Sequence, residues 1–114
     1  VTTGDINPAR RFVRQGGTTA IVSSDVTHTV TIELGSAAAT PRQREAVAWA
    51  LRWHMMGQDL LAHLVTEDGW EIERVTRRDD QRETHVRFRC KPDSVEAVRQ
   101  LAADAIKAVL GGGK

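Results

Sequence analysis

Tyrosine is absent from this chain of 114 residues, and the whole aromatic set is three Trp and two Phe, 4% of the total. An interior with so few rings has to be filled mostly by Val, Leu, Ile and Ala. Cys90 is the one cysteine. It excludes a disulfide within the chain and any zinc or iron–sulfur site built from several cysteines, and a lone thiol suits a reducing compartment. No apolar run approaches the roughly 20 residues that span a bilayer. Residues 1–8 have neither a basic start nor an apolar stretch, which argues against a secretory signal. The expected location is therefore the cytoplasm, with no membrane contact. Charge of one sign is also lacking: 16 Lys and Arg face 15 Asp and Glu, for a formal net charge of +1. Such a balance creates no global field to gather nucleic acid, an anionic membrane or an acidic substrate.

What remains is an ordinary globular composition, 40% hydrophobic and 27% charged, at a length that fits one domain. Residues 1–17 read as a flexible tail closed by Gly16 and Gly17, with Arg10, Arg11, Phe12, Val13 and Arg14 set inside it as a short edge strand or a basic arm. Residues 18–110 read as the folded domain and 111–114, the Gly-Gly-Gly-Lys end, as a frayed terminus. A short strand is expected over 18–23. A better one is expected over 26–34, where Val26, His28, Val30, Ile32 and Leu34 alternate with Thr27, Thr29, Thr31 and Glu33. Thr40, Pro41 and Gln43 announce a helix through a capping box and a proline at the first helical position. That helix is expected to run over 41–66 and to end at Gly69 in the left-handed closing position. Strands over 70–77 and 82–90 follow, with Glu71 and Glu73 placed to meet Arg87 and Arg89 across the ladder. A last helix begins at Pro92, Asp93 and Ser94, with Asp93 and Glu96 as its capping box and Val95, Val98, Ala102, Ile106 and Val109 as its apolar stripe.

The order is strand–strand–helix, repeated. It predicts an α+β fold made of two ββα units, with one antiparallel sheet of four strands, or five if the arginine-rich segment pairs as an edge, and both helices on one face.

The first helix is the most informative segment. On a helical wheel Glu45, Arg52, Asp59 and His63 gather in a narrow polar stripe, and most of the remainder is apolar. One flank carries Trp49, Trp53, Met56, Leu60 and Leu64, the other Val47, Leu51, Met55, Ala62 and Val65. A helix lying on a sheet needs one apolar stripe, so the Trp49–Trp53–Met56–Leu60 flank reads as an interface with a second copy or another protein. The blander reading buries it between the sheet and the second helix. About 25 helical residues span about 37 Å against about 30 Å for a nine-residue strand, so the helix should overhang the sheet or break, and Gly57 lies near its middle.

Catalytic patterns are missing. No two histidines fall at i and i+4 on one helix, and no metal site or cofactor is implied. His28 and His54 occupy apolar positions, where burial favours the neutral ring; together they could line a pocket between sheet and helices. Cys90 reads as a small buried residue. The arginines of the second hairpin are nearly matched by acids, and no exposed aromatics interleave with them.

Three functions follow from these features. The first is a non-catalytic protein–protein interaction domain of adaptor, chaperone-like or immunity type, homodimeric through the long helix. The second is a nucleic-acid-associated domain using Arg10, Arg11, Arg14, Arg87 and Arg89. The third is a small enzyme or ligand-binding domain with His28 and His54 in its pocket.

Overall fold

A computed structural model describes residues 18–36, 39–78 and 80–111, together with the backbone of 11–15. Five strands are present: β1 (Arg11–Gln15), β2 (Thr18–Ser24), β3 (Thr29–Gly35), β4 (Trp70–Thr76) and β5 (Arg82–Arg89). All neighbouring pairs are antiparallel, and the sheet order is β1-β2-β3-β5-β4. Two helices, α1 (Pro41–Met56) and α2 (Val95–Leu110), lie on one face. The α+β class, the antiparallel sheet and the two ββα units are as the sequence pattern implies. Arg11–Gln15 is the fifth, edge strand that the sequence allowed within 1–17. Arg10 lies outside the described residues. No helix among the described residues is long and apolar enough to cross a membrane.

The helix-facing side of the sheet is built by alternation. Ala20 and Val22 of β2 stand opposite Leu34 and Ile32 of β3, and Val30 and Ile32 stand opposite Phe88 and Val86 of β5. All of these are essentially fully buried. From the helices come Ala48, Leu51 and Met55 of α1 and Val98, Ala102, Ala105 and Ile106 of α2. Each large aliphatic side chain removed from water in this way contributes about 1.5–3 kcal/mol before chain entropy is set against it.

The alternation over 26–34 does not all become strand. Val26 is 92% exposed and His28 is exposed with φ 63, so both belong to a turn. The cause is Asp25. Its Oδ1 accepts from the Thr27 and Thr29 amides at 2.9 and 3.2 Å and from Thr27 Oγ1 at 2.5 Å, which closes the chain on itself before pairing with β5 can begin at Thr29. These hydrogen bonds, led by the one from Thr27 Oγ1, hold the Asp25 carboxyl below its ordinary range. The expectation that His28 lies on a buried face is thereby overturned.

α1 starts as the capping box requires: Gln43 N donates to Thr40 Oγ1 at 3.1 Å and Thr40 N donates to Gln43 Oε1 at 2.7 Å. It ends ten residues earlier than the expected 66. Gly57 remains right-handed, at φ −65, and the chain turns instead at Asp59, φ 68. A 3-10 turn over Leu60–His63 follows, and Leu64 then forms a bridge with Cys90. The break has a packing cause. A straight helix would carry Leu60 and Leu64 outward past the sheet, whereas the turn drives both into the core, at 0% and 2% exposure. The segment is then sewn to β5 by Val65 N to Arg89 O and Arg89 N to Gly69 O, at 2.9 and 2.7 Å.

Two further expectations are corrected. Gly69 does not adopt the left-handed conformation. It is needed for close approach, since a Cβ there would lie 3.0 Å from the Thr66 carbonyl oxygen and 3.3 Å from that of Arg89. The Asp93–Glu96 capping box does not form. A 3-10 turn over Pro92–Ser94 precedes α2, Glu96 pairs with Arg99 at 2.5 Å, and Ser94 Oγ lies 2.9 Å from His63 Nδ1. The apolar stripe of α2 faces the core as its periodicity dictates, with Val98, Ala102 and Ile106 buried.

Candidate functional site

α1 buries Arg44, Ala48, Leu51 and Met55, so its opposite side points away from the core. That side carries Ala46, Trp49, Ala50 and Trp53, with Trp49 and Ala50 three and four residues after Ala46, and Trp53 four and three residues after them, which is one stripe of a helix. Trp49 is 42% exposed and Trp53 62%. Trp49 meets Trp70, at the start of β4, edge to face, with ring centres 5.4 Å apart and planes at 78°. Arg52 is threaded among all three indoles: its guanidinium carbon is 3.6 Å from the Trp70 ring centre, 5.4 Å from that of Trp53 and 5.7 Å from that of Trp49. Arg52 Nε is buried with no acceptor among the described residues, and desolvation lowers the guanidinium pKa from its ordinary value.

The interface flank expected from the sequence is thus divided. Trp49 and Trp53 are on the surface, and Met56 is half-buried against the core. Leu60 is fully buried in the core and offers nothing to a partner. The wheel misplaced it because the wheel assumed a continuous helix. Sequence reasoning also missed the Arg52–Trp70 contact, since it joins residues on different elements. Arg44 was missed as well: it is 3% exposed, with Nη1 donating to the Ala39 carbonyl at 2.6 Å.

The open face of the sheet is polar and internally paired. Arg77 donates to Glu33 Oε1 at 3.0 Å and to Glu83 Oε1 at 2.9 Å, and His85 Nε2 lies 2.8 Å from the same Glu83 oxygen. Burial pushes the Glu83 carboxyl up, but hydrogen bonds from His85 and Arg77 outweigh it and leave the group below its ordinary value. Oxygens of Glu33 and Glu83 and a ring nitrogen of His85 lie within 4.8 Å of one another, a donor set with metal-ligand chemistry. The Arg77 guanidinium already binds one carboxylate oxygen of each of these glutamates. His85, placed on the polar face by its sequence phase, is nonetheless only 8% exposed because this network covers it.

Arg87 is held by Glu71 at 3.0 Å and by Glu73. Arg89 stands across from Thr29 rather than a glutamate, so of the two expected cross-strand partners only Arg87 has its acids. Arg89 helps line a cleft of about 260 Å³ with Thr66, Asp68, Trp70, Glu71 and Arg87, where two acids balance two bases. The side chains of Arg11 and Arg14 lie outside the described residues.

The histidines expected to share a pocket are separated by their setting. His28 is exposed on the β2–β3 turn, where its carbonyl accepts from Cys90 N at 2.9 Å, and His54 is half-buried on the last turn of α1. Cys90 is 2% exposed, and desolvation raises its thiol pKa to about 11.

No protein family, no curated protein and no solved structure matches the chain.

Proposed function

We propose that this chain is a non-catalytic protein–protein interaction domain that works as a homodimer through the outer face of α1. The observation that carries the reading is the exposure of Trp49 and Trp53 on one helical stripe with no acidic residue in it. Large exposed indoles are rare on monomeric surfaces and common at the energetic centre of interfaces. The packing of Trp49 against Trp70 and Arg52 supports the reading further, because a surface fixed before binding loses less side-chain entropy on association.

The test is light scattering of the purified chain on a sizing column, together with the Trp53→Glu variant. A dimer at micromolar concentration that Trp53→Glu converts to a folded monomer is the expected result. A wild-type monomer, or a dimer indifferent to Trp53→Glu, would remove this face as the interface.

A further inference from the structure

We infer that Glu33, Glu83 and His85 form a binding site for one divalent transition-metal ion, with Zn²⁺ the best match, on the open face of the sheet. That face is opposite the one that carries α1, so the inference is independent of the homodimer reading. The strand ladder brings the three residues together. Glu83 and His85 are two residues apart on β5 and share a face, and Glu33 of β3 stands directly across from His85. Beside them Gly35 stands across from Glu83. A Cβ at Gly35 would lie 2.9 Å from Glu83 Cγ, so the missing side chain leaves the room that the Glu83 side chain takes. The outcome is one ring nitrogen and two carboxylate oxygens within 4.8 Å of one another.

These separations and atom types suit the ion. Bonds of about 2.0–2.2 Å at tetrahedral angles set ligand atoms about 3.4 Å apart. Glu83 Oε1 and His85 Nε2 are 2.8 Å apart, and small rotations of the two glutamate side chains adjust the remaining distances. One imidazole with two carboxylates favours Zn²⁺ over Mg²⁺ and Ca²⁺, which take oxygen ligands. The His85 ring is 8% exposed, so it is held in place before an ion arrives. It would bind through Nε2 as the tautomer that carries its hydrogen on Nδ1. Three protein ligands leave a fourth position for water.

A positive charge is already drawn to this spot. The Arg77 guanidinium donates to Glu33 Oε1 at 3.0 Å and to Glu83 Oε1 at 2.9 Å. Its side chain comes from the turn between β4 and β5 and is 45% exposed, so it can swing into water without opening the core. Each ion pair at such a solvated surface holds its partners by no more than about fivefold. An ion that gains three ligands at once displaces it.

The test is calorimetric titration of ZnCl₂ into the untagged chain after treatment with a chelator. One equivalent is expected to bind, with a dissociation constant below about 100 μM. Arg77→Met removes the competing cation and is expected to tighten binding about fivefold or more. Glu33→Gln and His85→Asn each remove a ligand and are expected to weaken it about tenfold or more. Circular dichroism verifies that each variant folds, and Glu33→Gln, on the open face outside the core, carries the test if loss of His85 unsettles the sheet. No saturable uptake by the wild-type chain at about 1 mM Zn²⁺, uptake that survives Glu33→Gln, or an Arg77→Met variant that binds no more tightly than wild type would each overturn the site.

Discussion

The guanidinium carbon of Arg52 lies 3.6 Å from the ring centre of Trp70, so a cation stacked on an indole joins the outer flank of α1 to the edge strand β4. Two opposing effects meet there. The stack is worth about 0.5–2 kcal/mol, while the buried, unpartnered Arg52 Nε costs about 1–3 kcal/mol. They nearly cancel, so Arg52→Met, which keeps the length and apolar stem, should change stability by less than about 1 kcal/mol. Urea denaturation measures this directly. A loss above about 2 kcal/mol would mean that the guanidinium finds more support here than its contacts imply.

The end of α1 makes a prediction of opposite signs at neighbouring sites. Gly57 is right-handed, and a Cβ added there would meet the His54 carbonyl oxygen at 3.4 Å, an ordinary contact. Gly57→Ala should therefore stabilise by about 0.5–1 kcal/mol, chiefly by restricting the unfolded chain. Asp59 holds the left-handed conformation, which Ala tolerates less well, so Asp59→Ala should cost about 1 kcal/mol. Thermal midpoints of the two variants should move in opposite directions. A common direction would contradict this account of the helix break.

The Glu83 network implies an acid limb of stability. The folded-state pKa of Glu83 is lowered below its ordinary 4.5, so its contribution is fully present above that value and is lost as pH falls through the folded value. Stability should decline below about pH 4.5, and less steeply in Glu83→Gln. Glu83 is half-buried, with 20% of its side chain exposed, and its partner Arg77 is more open to solvent still, which holds its share to about 1 kcal/mol or less. Urea midpoints between pH 3 and 7 read out the difference. Identical pH profiles for the two proteins would remove Glu83 as a contributor.

Cys90 should behave as an inert core residue. With the thiol raised to about 11 and the side chain 2% exposed, little thiolate exists at pH 8 and none of it is accessible. A disulfide reagent should label the folded chain only as fast as it opens, and at full speed in denaturant. Fast labelling of the native protein would mean that the bridge between Leu64 and Cys90 opens readily.

The sequence by itself determined the two ββα units, the α+β class, the start of α1 and the inward faces of β3, β5 and α2. Each is set by neighbours in the chain: period-2 alternation from Val30 to Leu34, the Thr40–Gln43 capping box, and the apolar spacing of Val98, Ala102 and Ile106. It also marked the tryptophans of α1 as more apolar surface than one sheet can cover. Tertiary structure decided the rest, because the forces involved act between distant residues. Leu60 and Leu64 gain more by entering the core beside Cys90 than by prolonging a helix beyond the sheet, so α1 stops at Met56 and the expected flank shrinks to Trp49, Trp53 and Met56. Asp25 closes a turn that strand alternation cannot register, which takes His28 out of any interior pocket. Arg52 meets Trp70 because the pairing of β4 with β5 places that indole beside α1, and no local pattern links positions 18 residues apart on separate elements.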